Sequence, residues 1–132
     1  MNTEERCNQA IYYKHNGYNC AQSILKVYND LLNLDEDMLK RLGSGFGTGM
    51  GGAEATCGAL IGANMVLGLL NKTDKVTKLI SREMLKEFNE LSHATLCKDL
   101  KGIETKVVLT SCEDCIANAI KILDSKLEEL SK

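Results

Sequence analysis

The C-terminal part of the chain carries the clearest pattern. Between residues 111 and 130, Cys112, Cys115, Ile116, Ala119, Ile120, Leu123, Leu127 and Leu130 recur at intervals of three and four, opposite Glu113, Asp114, Lys121 and Glu128. That spacing turns one broad apolar stripe toward a core and predicts an amphipathic helix. Thr110 or Ser111 can cap it, and Glu113 stands three residues after Thr110, as a capping box requires. Residues 73 to 92 repeat the pattern with Val76, Leu79, Ile80, Met84, Phe88 and Leu91, opened by Thr73 and Asp74. Cys20, Ile24, Val27, Tyr28 and Leu31 predict another helix with Asn19 as its cap, separated by Asn16-Gly17 from a first helix at residues 3 to 14.

A short helix is expected after Asp35, running to Leu42, where a glycine-rich loop begins. Cys57 to Leu70 then reads as a buried helix in which Gly58, Ala59, Gly62 and Ala63 expose backbone for close approach by another group. Only Lys106 to Thr110, KVVLT, looks extended, and one such stretch makes no sheet. Repeats, linkers and low-complexity tails are absent. The expectation is an all-α fold: residues 1–132 as a single-domain bundle of about five to six helices with a glycine-rich loop before the Cys57 helix.

Composition narrows the function. With 132 residues the chain suits one core, and 16 basic against 18 acidic residues leave a net charge of −2. No basic footprint for nucleic acid and no polybasic membrane stripe can be drawn from that balance. The stretch MNTEERCNQA is polar where a leader would be apolar, and no run approaches the roughly 18 apolar residues of a spanning segment, so the reading is a soluble, cytoplasmic protein. In that compartment, cysteines at positions 7, 20, 57, 97, 112 and 115 are unusual, because disulfides there are mostly transient or catalytic. The plainer alternative treats them as small core hydrophobes.

Seven of the eleven glycines fall between Gly43 and Gly58, in GSGFGTGMGGAEATCG. Gly47, Gly49 and Gly52 satisfy G-x-G-x-x-G, but a dinucleotide fingerprint follows a hydrophobic strand, and DEDMLKRL precedes this loop. A P-loop would need Lys and Ser or Thr after its last glycine, where this chain has Ala53 and Glu54, and Glu54 would repel a phosphate. The other use of such a loop is to bring amide N–H groups close to an anion such as a thiolate. With Thr56 as cap, Cys57 lies in the first turn of its helix; Cys20 after Asn19 and Cys112 after Ser111 stand similarly, where the positive dipole end favours the sulfur anion.

These residues resemble the small redox-active proteins named for their pattern as C-GCAxxG-C-C. The matching text is NGYNCAQSIL around Cys20, GFGTGMGG leading into TCGALIGA with Cys57, LCKDLKG with Cys97, and CEDCIANAIKIL for the last cysteine, together covering about residues 5 to 127. The resemblance implies four family cysteines: Cys20, Cys57, Cys97 and Cys112, with Cys115 as the alternative to Cys112. Cys7 is then an extra. Redox activity and an unidentified redox partner protein are implied as well, and a homo-oligomer is compatible with it.

Two redox mechanisms compete. In the first, Cys20, Cys57, Cys97 and Cys112 bind an iron–sulfur cluster for electron transfer, with Gly47, Gly49, Gly51, Gly52 and Gly58 offering backbone around it. The intervals of 37, 40 and 15 residues between these cysteines are unlike ferredoxin runs, and zinc on the same sulfurs is an alternative. In the second, a metal-free thiol–disulfide relay uses Cys57 as the attacking, catalytic thiol and Cys20 as its partner. The cluster is placed first because the glycine loop and the helix-start positions both serve stabilised thiolates.

Cys112-Glu-Asp-Cys115 lacks the strand-to-helix context of a thioredoxin motif, and its two acids should raise the neighbouring thiol pKa values. A third reading is a helical binding module whose cysteines only pack. His15 and His93 read as surface or helix-end residues, and Glu54 as either a proton acceptor for Cys57 or a helix-start charge.

Overall fold

The computed structural model describes residues Met1 to Lys132. Eight α-helices follow one another: α1 Thr3–Lys14, α2 Cys20–Val27, α3 Asn29–Leu32, α4 Glu36–Gly43, α5 Gly58–Leu70, α6 Thr77–Ser92, α7 Cys97–Lys101 and α8 Cys112–Leu130. Between α4 and α5 lies a wide, π-type glycine turn at Gly49–Ala53. The fold is all-α, as expected, with more helices than the bundle of five or six. The KVVLT stretch is loop, and the sole β pairing is an isolated antiparallel bridge between Thr56 and Leu96. No helix is long and apolar enough to cross a membrane.

Local chemistry explains the boundaries that differ. The expected helix from Cys20 to Leu31 is divided at Tyr28, whose backbone ends α2 and precedes the single turn of α3. Its buried hydroxyl donates to Asp124 on α8. α6 starts at Thr77 and not at Thr73, because Asn71 organises the preceding loop. Its Oδ1 accepts from Thr73 N and Oγ1, while its Nδ2 donates to Lys75 O and Thr77 Oγ1. Such side-chain bonds compete with helix formation. Ser111 alone caps α8, accepting from Asp114 N at 3.1 Å. The histidines are helix-end residues: His15 closes α1, and His93 closes α6 with φ of 74°.

α5 is apolar around most of its circumference and forms the centre, with α2, α6 and α8 packed on it and α1 laid across α2 and α8. The α2–α5 contact is the most extensive, because small residues let the two backbones meet: a Cβ on Gly62 would lie 2.9 Å from Ala21 O. Around this pair the large buried side chains Ile24, Leu60, Leu67, Phe88, Ile116, Ile120 and Leu123 complete one apolar cluster.

Two polar ties cross the core's edge. Asp124 accepts from Tyr28 and from Thr3 Oγ1, and Arg6 lies over the Tyr28 ring, paired with Asp30 at 2.9 Å. On the far side Lys126, its side chain 8% exposed, reaches Glu83 at 3.0 Å and Glu87 at 2.7 Å. Both partners belong to α6, so α8 draws one face of that helix toward itself.

α6 should therefore respond to truncation by face. Phe88→Ala, at a position with 0% exposure, is expected to cost about 3–5 kcal/mol in urea denaturation. Leu79→Ala, at 49% exposure, should stay within about 0.5 kcal/mol.

Candidate functional site

The site is assembled from four short segments that meet at helix starts. Asn19 caps α2 through a reciprocal box: Gln22 N donates to its Oδ1 at 2.8 Å, and its own N–H reaches Gln22 Oε1 at 2.9 Å. Asn19 Nδ2 also donates to Gly43 O, and Gln22 Nε2 to Lys40 O, which fastens the start of α2 to the end of α4. Cys20 is thereby fixed in the first turn of α2.

The chain then passes so close that side chains are excluded. A Cβ on Gly58 would stand 2.5 Å from Cys20 Sγ and 2.6 Å from Phe46 O, and one on Gly49 would meet Cys97 Cβ at 2.6 Å. In the glycine turn Thr48, Met50 and Ala53 have positive φ of 53°, 61° and 62°. Each such non-glycine residue costs about 1–2 kcal/mol.

Two backbone bonds close the site. Cys57 N donates to Thr95 O at 2.8 Å, and Cys97 N donates to Ala55 O at 3.0 Å. This extended pairing holds the chain out of helix until Cys57, so Cys57 itself is the N-cap residue of α5, not Thr56 as the sequence suggested. On the other flank Ser111 places Cys112 in the first turn of α8, with Cys115 one turn further.

Cys20, Cys57, Cys97, Cys112 and Cys115 all line one small cavity, together with Gly58, Thr48, Leu100, Lys101 and Thr110. Its volume is about 20 Å3, where roughly 10–15 Å3 admits a single water. Cys57, Cys97 and Cys115 are buried, whereas Cys20 and Cys112 are half-exposed. Cys7 lies elsewhere, between α1 and α8, with its Sγ 3.7 Å from Ala117 O. Of the glycines named from the sequence, Gly58 lines the cavity and Gly49 abuts Cys97. Gly47 packs on Asn19, and Gly51 and Gly52 face open space.

The sulfurs are electrostatically unequal. A hydrogen bond from the Cys115 thiol, with help from the Ala59 and Leu60 amides and from Lys101, outweighs burial and pulls Cys57 down to about 7. The same contact with Cys57, and then burial, raises Cys115. The Glu113 and Asp114 carboxylates are not among the causes of that rise. Burial raises Cys20 and Cys97; the Thr48 amide partly offsets the first and Lys101 the second. Burial works against the charge of Lys101 too, but sulfur at Cys112, Cys97 and Cys20 outweighs it, and its pKa rises.

Lys101 is the residue that sequence reasoning missed. It follows Cys97 by four positions, and i,i+4 spacing puts both on one face of α7. Glu54, in contrast, is largely exposed and pairs with Lys98 at 3.6 Å.

Comparison with known families matches residues 18–126 to the one described as "Putative redox-active protein (C_GCAxxG_C_C)". The chain belongs to this family. The matched span takes in all five cavity cysteines and leaves out Cys7. No curated protein and no solved structure matches the chain. Membership makes this a cysteine-rich chain of a redox family, and the cavity is where its cysteines gather.

Five sulfurs around one cavity raise the question of a metal centre. Thiolates suit iron, zinc and iron–sulfur clusters chemically. As the side chains stand, no three His, Cys, Asp or Glu groups are arranged to hold an ion.

Close packing and charge can be probed separately. Gly58→Ala should destabilise the fold by about 1–3 kcal/mol, through the clash with Cys20 Sγ and Phe46 O, whereas Gly52→Ala, with nothing within 4 Å, should be nearly neutral in thermal melts. Lys101→Gln should move the thiolate ultraviolet absorbance midpoint of Cys57 upward from about 7, measured as the difference between each protein and its Cys57→Ser derivative.

Proposed function

We propose that this protein is a metal-free thiol–disulfide redox protein with Cys57 and Cys115 as its working couple. The observation that carries the reading is that both line one small five-cysteine cavity, where their mutual interaction eases Cys57 toward the anion and keeps Cys115 protonated. An attacking thiol is most effective with a pKa near ambient pH, and a second thiol in contact can resolve the bond it forms. Cys115 thus takes the resolving role that helix-start reasoning gave to Cys20.

Of the two half-exposed sulfurs, Cys20 and Cys112, the second is assigned the first contact with a partner because it shares the opening turns of α8 with Cys115. Its thiolate attacks a partner disulfide, forming a mixed disulfide and expelling one partner thiolate. Cys57 attacks the Cys112 sulfur, expelling the second partner thiolate and leaving a Cys57–Cys112 bond. Cys115 then attacks Cys57, frees Cys112 and leaves a Cys57–Cys115 disulfide. The protons lost by Cys57 and Cys115 end on the two partner thiols, so one disulfide is reduced and one formed. Lys101 balances the negative sulfur during these exchanges.

Equilibration in glutathione buffers followed by differential alkylation and mass spectrometry should recover a Cys57–Cys115 bridge, and Cys57→Ser should abolish it. Stoichiometric iron with labile sulfide, or zinc, held by four cysteines after anaerobic purification would overturn the reading. A pH signature accompanies it. The folded Cys57 value, about 7, lies below the ordinary 9.0, so its thiolate stabilises the fold at high pH and that contribution fades as pH falls through 7. Cys115, being raised, opposes this only above the ordinary value. The stability margin of the native chain over Cys57→Ser should therefore widen from pH 7 to 9 in denaturant titrations.

A further inference from the structure

The outer face of α6 carries a second feature. Lys78, Arg82 and Lys86 recur every four residues and so project from one side of the helix over about 12 Å. All three are exposed, and none enters an ion pair. Of the helix's three carboxylates, Glu83 and Glu87 are engaged by Lys126, while the exposed Glu90 follows Lys86 by four residues and closes the row at its C-terminal end. Lys72 and Lys75 precede the row, so five cations and two carboxylates occupy residues 72 to 86 of a chain whose net charge is −2.

Two adjoining hollows of about 360 and 440 Å3 run beneath this row and share Arg82 and Leu85. Their floor is the backbone pairing of the cysteine site: Thr56 lines the first hollow and Thr95 the second, while the adjacent Cys57 lines the sulfur cavity. Adjacent side chains in extended backbone point to opposite faces, so the first hollow meets Thr56 on one side of the chain and the sulfur cavity meets Cys57 on the other.

We propose that this groove is the docking face for an acidic protein partner, a surface separate from the sulfur cavity and divided from Cys57 by the backbone of residues 56–57. The surface fits a polypeptide better than a small anion. The hollows are open and adjoin at Arg82 and Leu85, and Leu85 is 45% exposed between the cations. A carboxylate-bearing chain brings apolar groups that can cover Leu85 beside the cations, which inorganic phosphate does not. Single-stranded nucleic acid would want aromatic stacking, and Phe88, the one aromatic of α6, is fully buried. Unpaired rim cations of this kind steer acidic partners.

The test is an amide NMR titration of the full-length reduced protein with deca-glutamate at low salt, alongside inorganic phosphate and a ten-nucleotide oligothymidine. Deca-glutamate should shift Thr56, Asn64, Arg82, Leu85 and Thr95, with an affinity that falls at raised salt and drops at least about tenfold in the Lys78→Glu, Arg82→Glu, Lys86→Glu triple variant. No shifts on this face, equal shifts with phosphate, or tighter binding of the oligothymidine would each overturn the proposal. A native helical spectrum and an unchanged Cys57 thiolate midpoint in the triple variant separate lost docking from lost thiol chemistry.

Discussion

The structure depends on the reciprocal pair of backbone hydrogen bonds between residues 55–57 and 95–97. In a molecule otherwise built of helices, this is where two stretches 40 residues apart are held side by side. Without it Cys57 and Cys97 would sit on separate helices with nothing to set their spacing. With it, the start of α5 and the start of α7 share one extended layer, and the amides at the beginning of α5 are aimed at the Cys57 sulfur. The bond from Cys57 N to Thr95 O also decides where α5 can begin.

Around that layer the glycines act by absence of volume. The loop draws its backbone over Cys20 and Cys97 so closely that a methyl group at Gly58 or Gly49 would overlap existing atoms. The positive-φ conformations of Thr48, Met50 and Ala53 represent a local cost of about 1–2 kcal/mol each, and half of the chain's six positive-φ non-glycine residues fall in this one loop, where Thr48 lines the sulfur cavity. Strain gathered around a chemical centre and compensated by packing elsewhere is a common arrangement in proteins that work by chemistry.

Much of the helical frame was legible because its signals are local. The three-and-four spacing in α8, the Asn19 cap of α2 and the acidic start of α4 each act within a few residues, and each appears at its place. The start of α6 was not, because Asn71 competes for the backbone of the loop through bonds that no periodicity reports. The site was legible as a set of cysteines and illegible as a set of pairs. Helix-start reasoning singled out Cys57 but gave it the wrong cap, since the deciding bond comes from Thr95. The contact with Cys115 depends on how α8 crosses α5, a tertiary quantity, and Lys101 gains its meaning only from sulfurs on three other segments.

Lys126 has an effect beyond its two ion pairs. By engaging Glu83 and Glu87, two of the three carboxylates of α6, it leaves Lys78, Arg82 and Lys86 without ion-pair partners on that helix. A body of slight net charge then bears a local row of unpaired cations. In the field of a charged neighbour such a molecule experiences a torque before contact, so its orientation on arrival is biased by long-range forces and not left to random collision.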